Sequence, residues 1–301
     1  MKKCDLIATI PAMTDMARVK EIIRNPYIYG VRWNTGVVSP YSEMQTVEIL
    51  KDYCAAMKKP LWIDLKGRQL RVTEWGNPLY DSIKINHNVT VKGPAKVLLR
   101  GEEPLDLVKV QDNNLFVRQT PRHAVGKGQS LNIICEDENG LEIEGYLTKK
   151  DKAYIQACRK YDVENIMASY VESINDVIAI KLLKGACNVV CKIESKKGVK
   201  AIDDLSGLNL MAARDDLYLE VETPVQMSRA LGSIIKADKD AICASRIFSS
   251  LEYGGKISFC DYEDLEVMYA MGYHTFMLCD NICNYYFERA IKGWCTFINE
   301  V

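Results

Sequence analysis

The chain has 301 residues, of which 48% are hydrophobic and 26% charged, and its formal net charge at pH 7 is −1. This composition supports one large α/β barrel or two domains, and the lack of a basic block argues against nucleic acid or membrane surfaces as partners. No apolar run reaches the roughly 18 residues that span a bilayer, and the N-terminus lacks a signal-like apolar stretch. We therefore expect a cytoplasmic protein that acts on a small molecule.

An alternation of apolar, strand-like runs with amphipathic helical stretches extends over most of the chain. The clearest helices, residues 41–58, 149–161 and 224–236, carry apolar side chains at positions i, i+3 and i+4. Eight strand–helix units predict an α/β fold, a closed (β/α)8 TIM barrel, and the alternative is an open doubly wound sheet. The predicted strands cover residues 5–10, 30–34, 60–66, 165–170, 188–194, 208–213, 240–245 and 274–279.

One stretch interrupts this alternation. Between Arg71 and Leu147, turn signals separate short strand-like runs, which predicts a small all-β domain at residues 71–147 inserted into a barrel of residues 1–70 and 148–301. The insertion follows the third barrel strand, and the loops after barrel strands build active sites, so we expect a lid. The alternative is a partner-binding domain. The short predicted strands are residues 96–99, 115–118 and 131–134.

Charged side chains follow two neighbouring apolar runs, residues 189–195 and 211–217. The period of two in a strand places Lys192 and Glu194 on one face, and Asp216 follows the next strand. Carboxylate oxygens suit a divalent metal, and a lysine supplies a cation where negative charge or a transferring proton develops. The pattern therefore predicts a metal-assisted enolate site, and the alternative is a structural ion pair.

Five segments, in their order and strand context, resemble the pyruvate kinase family, and the resemblance extends from about Asp5 to the last predicted helix, including the insertion. It implies a barrel with an inserted β domain and phosphoryl transfer between phosphoenolpyruvate and ADP or ATP. It also implies Mg²⁺ (or Mn²⁺) and, as in most members, K⁺ as cofactors, and it leaves a homo-oligomer open. The segments are residues 63–71, 147–151, 168–171, 192–194 and 213–217.

The resemblance also implies roles for individual side chains. Lys192, Arg32 and Ser245 match catalytic positions: the lysine stabilises the phosphoryl group in transfer, the arginine contacts phosphate, and the serine replaces a threonine near the substrate. Glu194 and Asp216 match the ligands of the substrate-bound Mg²⁺. The remaining matches are Asn34 and Asp64 for K⁺, Arg71, Ala213, Asp215 and Asp216 for substrate and phosphate, and Thr9, Arg32 and Asn34 for the nucleotide.

At several positions the chain departs from the family pattern. Residues 8–12 lack the family's glycine, and residues 35–36 replace a serine–histidine–glycine group. Asp215 stands where the family has a glycine beside the substrate carboxylate, and such a charge would repel an anion by roughly 1 kcal/mol even at 4 Å in water. Residues 278–281 differ from the family's serine–glycine–glutamate–threonine run. The predicted barrel ends near Val301, so we expect neither the family's C-terminal domain nor its effector site.

These observations leave three functions open. The first is a divergent pyruvate-kinase-like phosphotransferase. The second is a lyase or aldolase that forms a metal-bound enolate from a 2-oxo acid without a nucleotide, and the third is a non-catalytic barrel that senses a ligand. Magnesium binding at Glu194 and Asp216 separates the first two from the third, and nucleotide binding separates the first from the second. We expect Lys192→Met to abolish activity and keep the fold, because the change nearly conserves volume at a strand end.

Overall fold

The computed structural model describes residues 4–99, 102–137 and 139–300. The chain divides into two compact units, one formed by the residues up to Leu65 and from Lys150 onward, the other by Lys66–Lys149. None of the helices in the described ranges is long and apolar enough to cross a membrane. The strands of these ranges are β1 (Asp5–Thr9), β2 (Gly30–Asn34), β3 (Leu61–Leu65), β4 (Ile83–Lys84), β5 (Val89–Val91), β6 (Ala95–Leu99), β7 (Leu105–Gln111), β8 (Asn114–Val117), β9 (Leu131–Cys135), β10 (Leu141–Ile143), β11 (Asn165–Ala168), β12 (Asn188–Ile193), β13 (Asn209–Ala213), β14 (Ile242–Ala244) and β15 (Thr275–Met277).

The first unit is a closed barrel. Eight of the described strands pair in parallel in the order β1-β15-β14-β13-β12-β11-β3-β2. The barrel closes because β1 pairs with β2 on one side and with β15, the last strand, on the other. The predicted α/β class and (β/α)8 barrel are confirmed, and the open doubly wound sheet is excluded.

Helices follow the barrel strands, and local sequence signals fix their ends. Ser42 and Gln45 form a capping box at the start of the second helix, and Thr223 caps the seventh, which begins with a proline. The helices are α1 (Met16–Arg24), α2 (Glu43–Ala56), α3 (Lys149–Lys160), α4 (Ile174–Lys184), α5 (Lys196–Lys200), α6 (Arg214–Glu220), α7 (Pro224–Ala237), α8 (Ser250–Gly254), α9 (Phe259–Met271), α10 (Asp280–Tyr285) and α11 (Phe287–Ile298).

Several barrel strands are shorter than predicted. The predicted strand 30–34 coincides with β2, whereas the predictions 165–170 and 240–245 extend past the ends of β11 and β14. The backbones of Tyr170 and Ser245 are left-handed, with φ of 51° and 68°, and this conformation cannot continue a strand. Apolar character alone therefore overestimates strand length where the chain turns into a loop.

The barrel strands place an apolar layer beside a mostly polar one. Alternate residues of a strand share a face. In these strands, the residue two positions after a member of the apolar layer therefore lies on the same side as that layer. That second set is Thr9, Asp64, Ser169, Lys192 and Ala213, at or just after the strand ends. The apolar layer consists of Ile7, Trp62, Met167, Val190, Met211, Ile242, Ala244 and Met277.

The second unit is all β within the described residues. An antiparallel sheet has the order β4-β8-β7-β6-β9, and β5 pairs with β10 in a two-stranded sheet. Its own apolar core includes Val97, Leu115 and Leu131 from three different strands. The three predicted strands of this region overlap β6, β8 and β9. This unit therefore has the independent core that a separate domain requires.

Candidate active site

Buried charged side chains meet at the C-terminal ends of the barrel strands. Arg32, Asp64, Lys192 and Glu194 all have side chains exposed by 8% or less. They come from β2, β3 and the end of β12, and they form an alternating row of positive and negative groups. Buried charges of this kind are costly unless they are paired, so the arrangement marks a site with a specific role.

The centre of the row is the ammonium group of Lys192. Its Nζ donates to Ser169 Oγ at 2.8 Å and lies 2.9 Å from Glu194 Oε1 and 3.4 Å from Asp64 Oδ1. Ser169 in turn donates to Asp64 Oδ1 at 3.3 Å. Burial alone would lower the pKa of Lys192, but Asp64 and Glu194 outweigh it and the net effect raises that pKa. Lys192 is therefore held as a cation at the mouth of the barrel.

Arg32 forms the second cationic centre. Its Nε donates to Asp64 Oδ2 at 2.8 Å, and its Nη2 contacts the same oxygen. Its Nη1 donates to Thr9 Oγ1 at 3.0 Å and to Asp280 Oδ2 at 3.1 Å. Asn34 Nδ2 also donates to Asp280, at 2.9 Å to Oδ1. Asp64 thus lies between two cations, and Asp280 bridges the arginine and the asparagine.

Glu194 carries a buried oxygen that accepts no hydrogen bond. Its Oε2 accepts from the backbone N–H of Tyr170 at 2.7 Å, while Oε1 faces Lys192 without hydrogen-bond alignment and has no hydrogen-bond partner. Burial, followed by the charges of Asp216 and Asp64, raises the pKa of Glu194 to about 7 against the opposing effect of Lys192. A further positive charge at this carboxylate would relieve that cost.

Glu194 and Asp216 are the two carboxylates that could hold a divalent cation, because the charge of Asp216 acts on Glu194. Asp216 lies in the first turn of α6, and among the described residues it makes no hydrogen bond or ion pair. Hard carboxylate oxygens are what Mg²⁺ takes as ligands. No group of three or more His, Cys, Asp and Glu side chains in the described ranges could hold a metal alone. The other ligands of such a cation would therefore be water or substrate oxygens.

The segment around Ser245 is held by Arg214. The guanidinium donates to the carbonyl of Ser245, with Nη2 at 2.6 Å, and forms two hydrogen bonds with Asp264 at 2.6 and 2.8 Å. Arg214 therefore fixes the left-handed loop after β14 and has Asp264 as its counter-ion. Asp215 pairs instead with Arg246, 3.3 Å away, so the carboxylate that replaces a family glycine has a local counter-charge.

The predicted site residues do not all belong to one unit. Thr9, Arg32, Asn34 and Asp64 are joined by direct contacts, and Lys192 and Glu194 extend that network. Ala213 is the buried residue before α6, next to Asp215 and Asp216. Arg71 belongs to the second unit, where it donates to Gln69 Oε1 and to the carbonyl of Gly128.

Three contributors escaped the prediction from sequence. Ser169 and Tyr170 belong to a segment that resembles a family motif, and neither the hydroxyl contact to Lys192 nor the N–H contact to Glu194 has a signal in the residue pattern. Asp280 belongs to a segment whose sequence departs from the family. Closure of the barrel brings it to Arg32, because β15 pairs with β1 and β1 pairs with β2.

The fold and the site define an α/β barrel whose strand ends carry a lysine, an arginine and carboxylates suited to a metal ion. The family model "Pyruvate kinase, barrel domain" matches residues 82–284, more than half of the chain. The chain belongs to the pyruvate kinase family.

Individual relatives agree with this assignment. The pyruvate kinase of Schizosaccharomyces pombe is 27% identical over 166 residues, 52% of this chain and 32% of that protein. That of Lachancea kluyveri is 27% identical over 307 residues, 88% of this chain and 60% of that protein. The chain thus spans between about a third and three fifths of the length of these curated relatives. A crystal structure of Cryptosporidium parvum pyruvate kinase superposes with a TM-score of 0.77 at 15% identity, over 99% of this chain and 71% of that one, which shows the shared fold.

Proposed function

We propose that this protein is a pyruvate-kinase-like phosphotransferase that moves a phosphoryl group between phosphoenolpyruvate, or a related 2-oxo acid, and ADP or ATP. The observation that carries the proposal is the contact set of Lys192, whose Nζ lies within 3.4 Å of Ser169, Glu194 and Asp64 at the strand ends. A buried cation next to a carboxylate with one oxygen that accepts no hydrogen bond suits a reaction that depends on positioning and charge neutralisation.

Each residue then has a physical task. Lys192 neutralises charge on the phosphoryl group, and Arg32 holds a phosphate or carboxylate oxygen of the substrate. Glu194 and Asp216 would hold Mg²⁺ or Mn²⁺, which polarises substrate oxygens when it is bound. Ser169 orients Lys192 by accepting a hydrogen bond from its ammonium group, which lies within 3.4 Å of Glu194 and Asp64.

A potassium ion is part of the proposal, with Asn34 and Asp64 as its ligands. Asp64 already compensates two cations, Arg32 and Lys192. A third cation would share those oxygens, so its electrostatic gain is reduced. We therefore expect activity to depend strongly on Mg²⁺ and weakly on K⁺.

The test is the formation of pyruvate from phosphoenolpyruvate and ADP, with and without Mg²⁺. Lys192→Met is the test variant, and its matched control is Lys196→Met, which removes a partly exposed lysine that pairs with Glu222 at 2.8 Å. We expect turnover in the wild type and the control, and none in Lys192→Met or without metal. Turnover that survives in Lys192→Met with the fold intact, as checked by circular dichroism, would contradict the proposal.

A second candidate keeps the metal and the enolate and uses no nucleotide. The observation that favours it is the occupation of Arg32 and Asn34, both expected near the nucleotide, by the carboxylate of Asp280. Such a lyase or aldolase would exchange the methyl protons of pyruvate in heavy water in a metal-dependent way, without binding ATP. Calorimetric titration with ADP and ATP separates the two candidates.

A further inference from the structure

Asp280 places a carboxylate at a position where an incoming anion would bind. Its Oδ2 accepts from Arg32 Nη1 at 3.1 Å, and its Oδ1 accepts from Asn34 Nδ2 at 2.9 Å. Two oxygens of one acidic group thus bridge two donors that lie on one strand, β2. A phosphate group also presents negatively charged oxygens at a similar separation, so Asp280 imitates such a ligand.

The chain positions Asp280 through the closure of the barrel. Leu278 donates its N–H to the carbonyl of Ile7 at 2.9 Å, and its own carbonyl accepts from Thr9 Oγ1 at 2.8 Å. The segment after β15 is therefore fixed to β1, and Asp280 begins α10 two residues later. The neighbouring strand on the other side of β1 is β2, which carries Arg32.

Among the partners of Arg32, Asp280 is the one that a ligand can replace. Two of the guanidinium nitrogens serve Asp64, whose side chain is fully buried, and Nη1 is shared between Thr9, also fully buried, and Asp280. The side chain of Asp280 is 33% exposed. A group that enters from solvent therefore reaches Nη1 by displacing Asp280, whereas displacing Asp64 would leave a buried carboxylate uncompensated.

We infer that Asp280 is a specificity-determining residue that competes intramolecularly with phosphate for Arg32 and Asn34. The inference rests on the proposed function in one respect: it takes Arg32 as the group that receives an anionic part of the ligand. Its consequence is that phosphate binds weakly at this position in the wild type, because each binding event must first break the contacts of Asp280. Removing the carboxylate opens the position.

The experiment measures the binding of inorganic phosphate by calorimetry, without metal or nucleotide, to the wild type, Asp280→Ala and Asp280→Asn. We expect the dissociation constant to fall about tenfold in Asp280→Ala, equivalent to about 1.4 kcal/mol, and by less in Asp280→Asn, whose amide oxygen can still accept one hydrogen bond. Structural damage would weaken binding, so a gain in affinity is a signature that a merely structural role would not produce.

The matched control is Glu252→Gln, which removes the same charge from a carboxylate that contacts Cys279 and Asn281, on either side of Asp280, rather than Arg32. An equal gain in Glu252→Gln would show a general field effect and overturn the inference, as would unchanged binding in both Asp280 variants. Adding Asn34→Ala to Asp280→Ala should abolish most of the gain, because one of the two donors is lost. These binding measurements do not involve turnover. A failure to form pyruvate would therefore contradict the proposed function, whereas the role of Asp280 is decided by the phosphate affinities alone.

Discussion

Replacing Lys192 with methionine removes a cation that lies within 3.4 Å of two buried carboxylates, Asp64 and Glu194. Asp64 keeps Arg32 as its counter-ion, whereas Glu194 keeps the backbone N–H of Tyr170. Removing one partner from a buried ion pair costs about 3–5 kcal/mol when the other partner stays charged. Asp64 remains compensated, and Glu194 can take up a proton, so we expect a smaller loss of about 1.4 kcal/mol at pH 8, one unit above the wild-type pKa of Glu194.

The pH dependence of this loss has a definite sign. Burial and the neighbouring carboxylates raise the pKa of Glu194 to about 7, and Lys192 is the group that opposes the shift, so its removal raises that pKa further. A carboxyl group whose pKa is higher in the folded state adds stability below its unfolded value and loses it as the pH rises through the folded value. The deficit of Lys192→Met is therefore small near pH 5 and grows as the pH rises above about 7, by about 1.4 kcal/mol for the first pH unit.

Urea denaturation with a chelator, near pH 5 and near pH 8, measures this deficit for the wild type, Lys192→Met and Lys192→Met/Glu194→Gln. The double variant should recover this deficit near pH 8, because glutamine stays uncharged without taking up a proton. Lys196→Met is the control and should lose less than about 0.5 kcal/mol at either pH. A deficit in Lys192→Met that is absent, or the same at both pH values, would refute this reasoning.

Three further predictions concern other groups. Burial, followed by the charges of Glu172 and Asp216, raises the pKa of Glu220 to about 7. In urea denaturation, Glu220→Gln should therefore stabilise the protein by about 1–2 kcal/mol near pH 8 and leave its stability unchanged near pH 4. Equal effects at the two pH values would contradict this prediction. Asp264→Asn leaves the buried Arg214 without its carboxylate partner and should lower the free energy of unfolding by about 2 kcal/mol. An unchanged melting temperature would contradict a stabilising role of the ion pair between Arg214 and Asp264. Magnesium at a hundred times its dissociation constant should stabilise the wild type by about 2.7 kcal/mol, and a similar gain in Asp216→Asn would exclude Asp216 as a ligand.

The sequence predicts much of the barrel because the spacing of apolar residues differs between strands and helices. The alternation of apolar runs and amphipathic helices predicts the closed barrel, and the period of two places Lys192 and Glu194 on one face. Residues at strand ends are also recognisable, since charges follow apolar runs there. These features are local, so neighbouring residues in the chain suffice to reveal them.

What the sequence does not reveal depends on contacts between distant strands. Asp64 compensates both Arg32 and Lys192, which lie on either side of it around the barrel, and Asp280 reaches Arg32 through the pairing of the first and last strands. The expectation that Lys192→Met keeps the fold stays a prediction, and the structure adds that the variant loses stability, for the same reason. A lysine at a strand end resembles a solvated cation in sequence, and only the packed barrel shows that it compensates buried carboxylates.

The left-handed residues that end the strands also lack a sequence signal. Tyr170 and Ser245 have φ of 51° and 68°, although neither is a glycine. Surrounding contacts hold these conformations: Arg214 fixes the carbonyl of Ser245, and Glu194 accepts the N–H of Tyr170. Strain of this kind persists only where tertiary contacts determine it, and both positions flank the site.

The most direct test of the central claim follows phosphorus NMR signals in a mixture of the protein, phosphoenolpyruvate, ADP and Mg²⁺. The account predicts that the enol phosphate signal disappears as the γ-phosphate signal of ATP grows, in the wild type and in Lys196→Met but not in folded Lys192→Met. An unchanged enol phosphate signal, or its conversion to inorganic phosphate alone while Mg²⁺ is bound, would contradict phosphoryl transfer to a nucleotide.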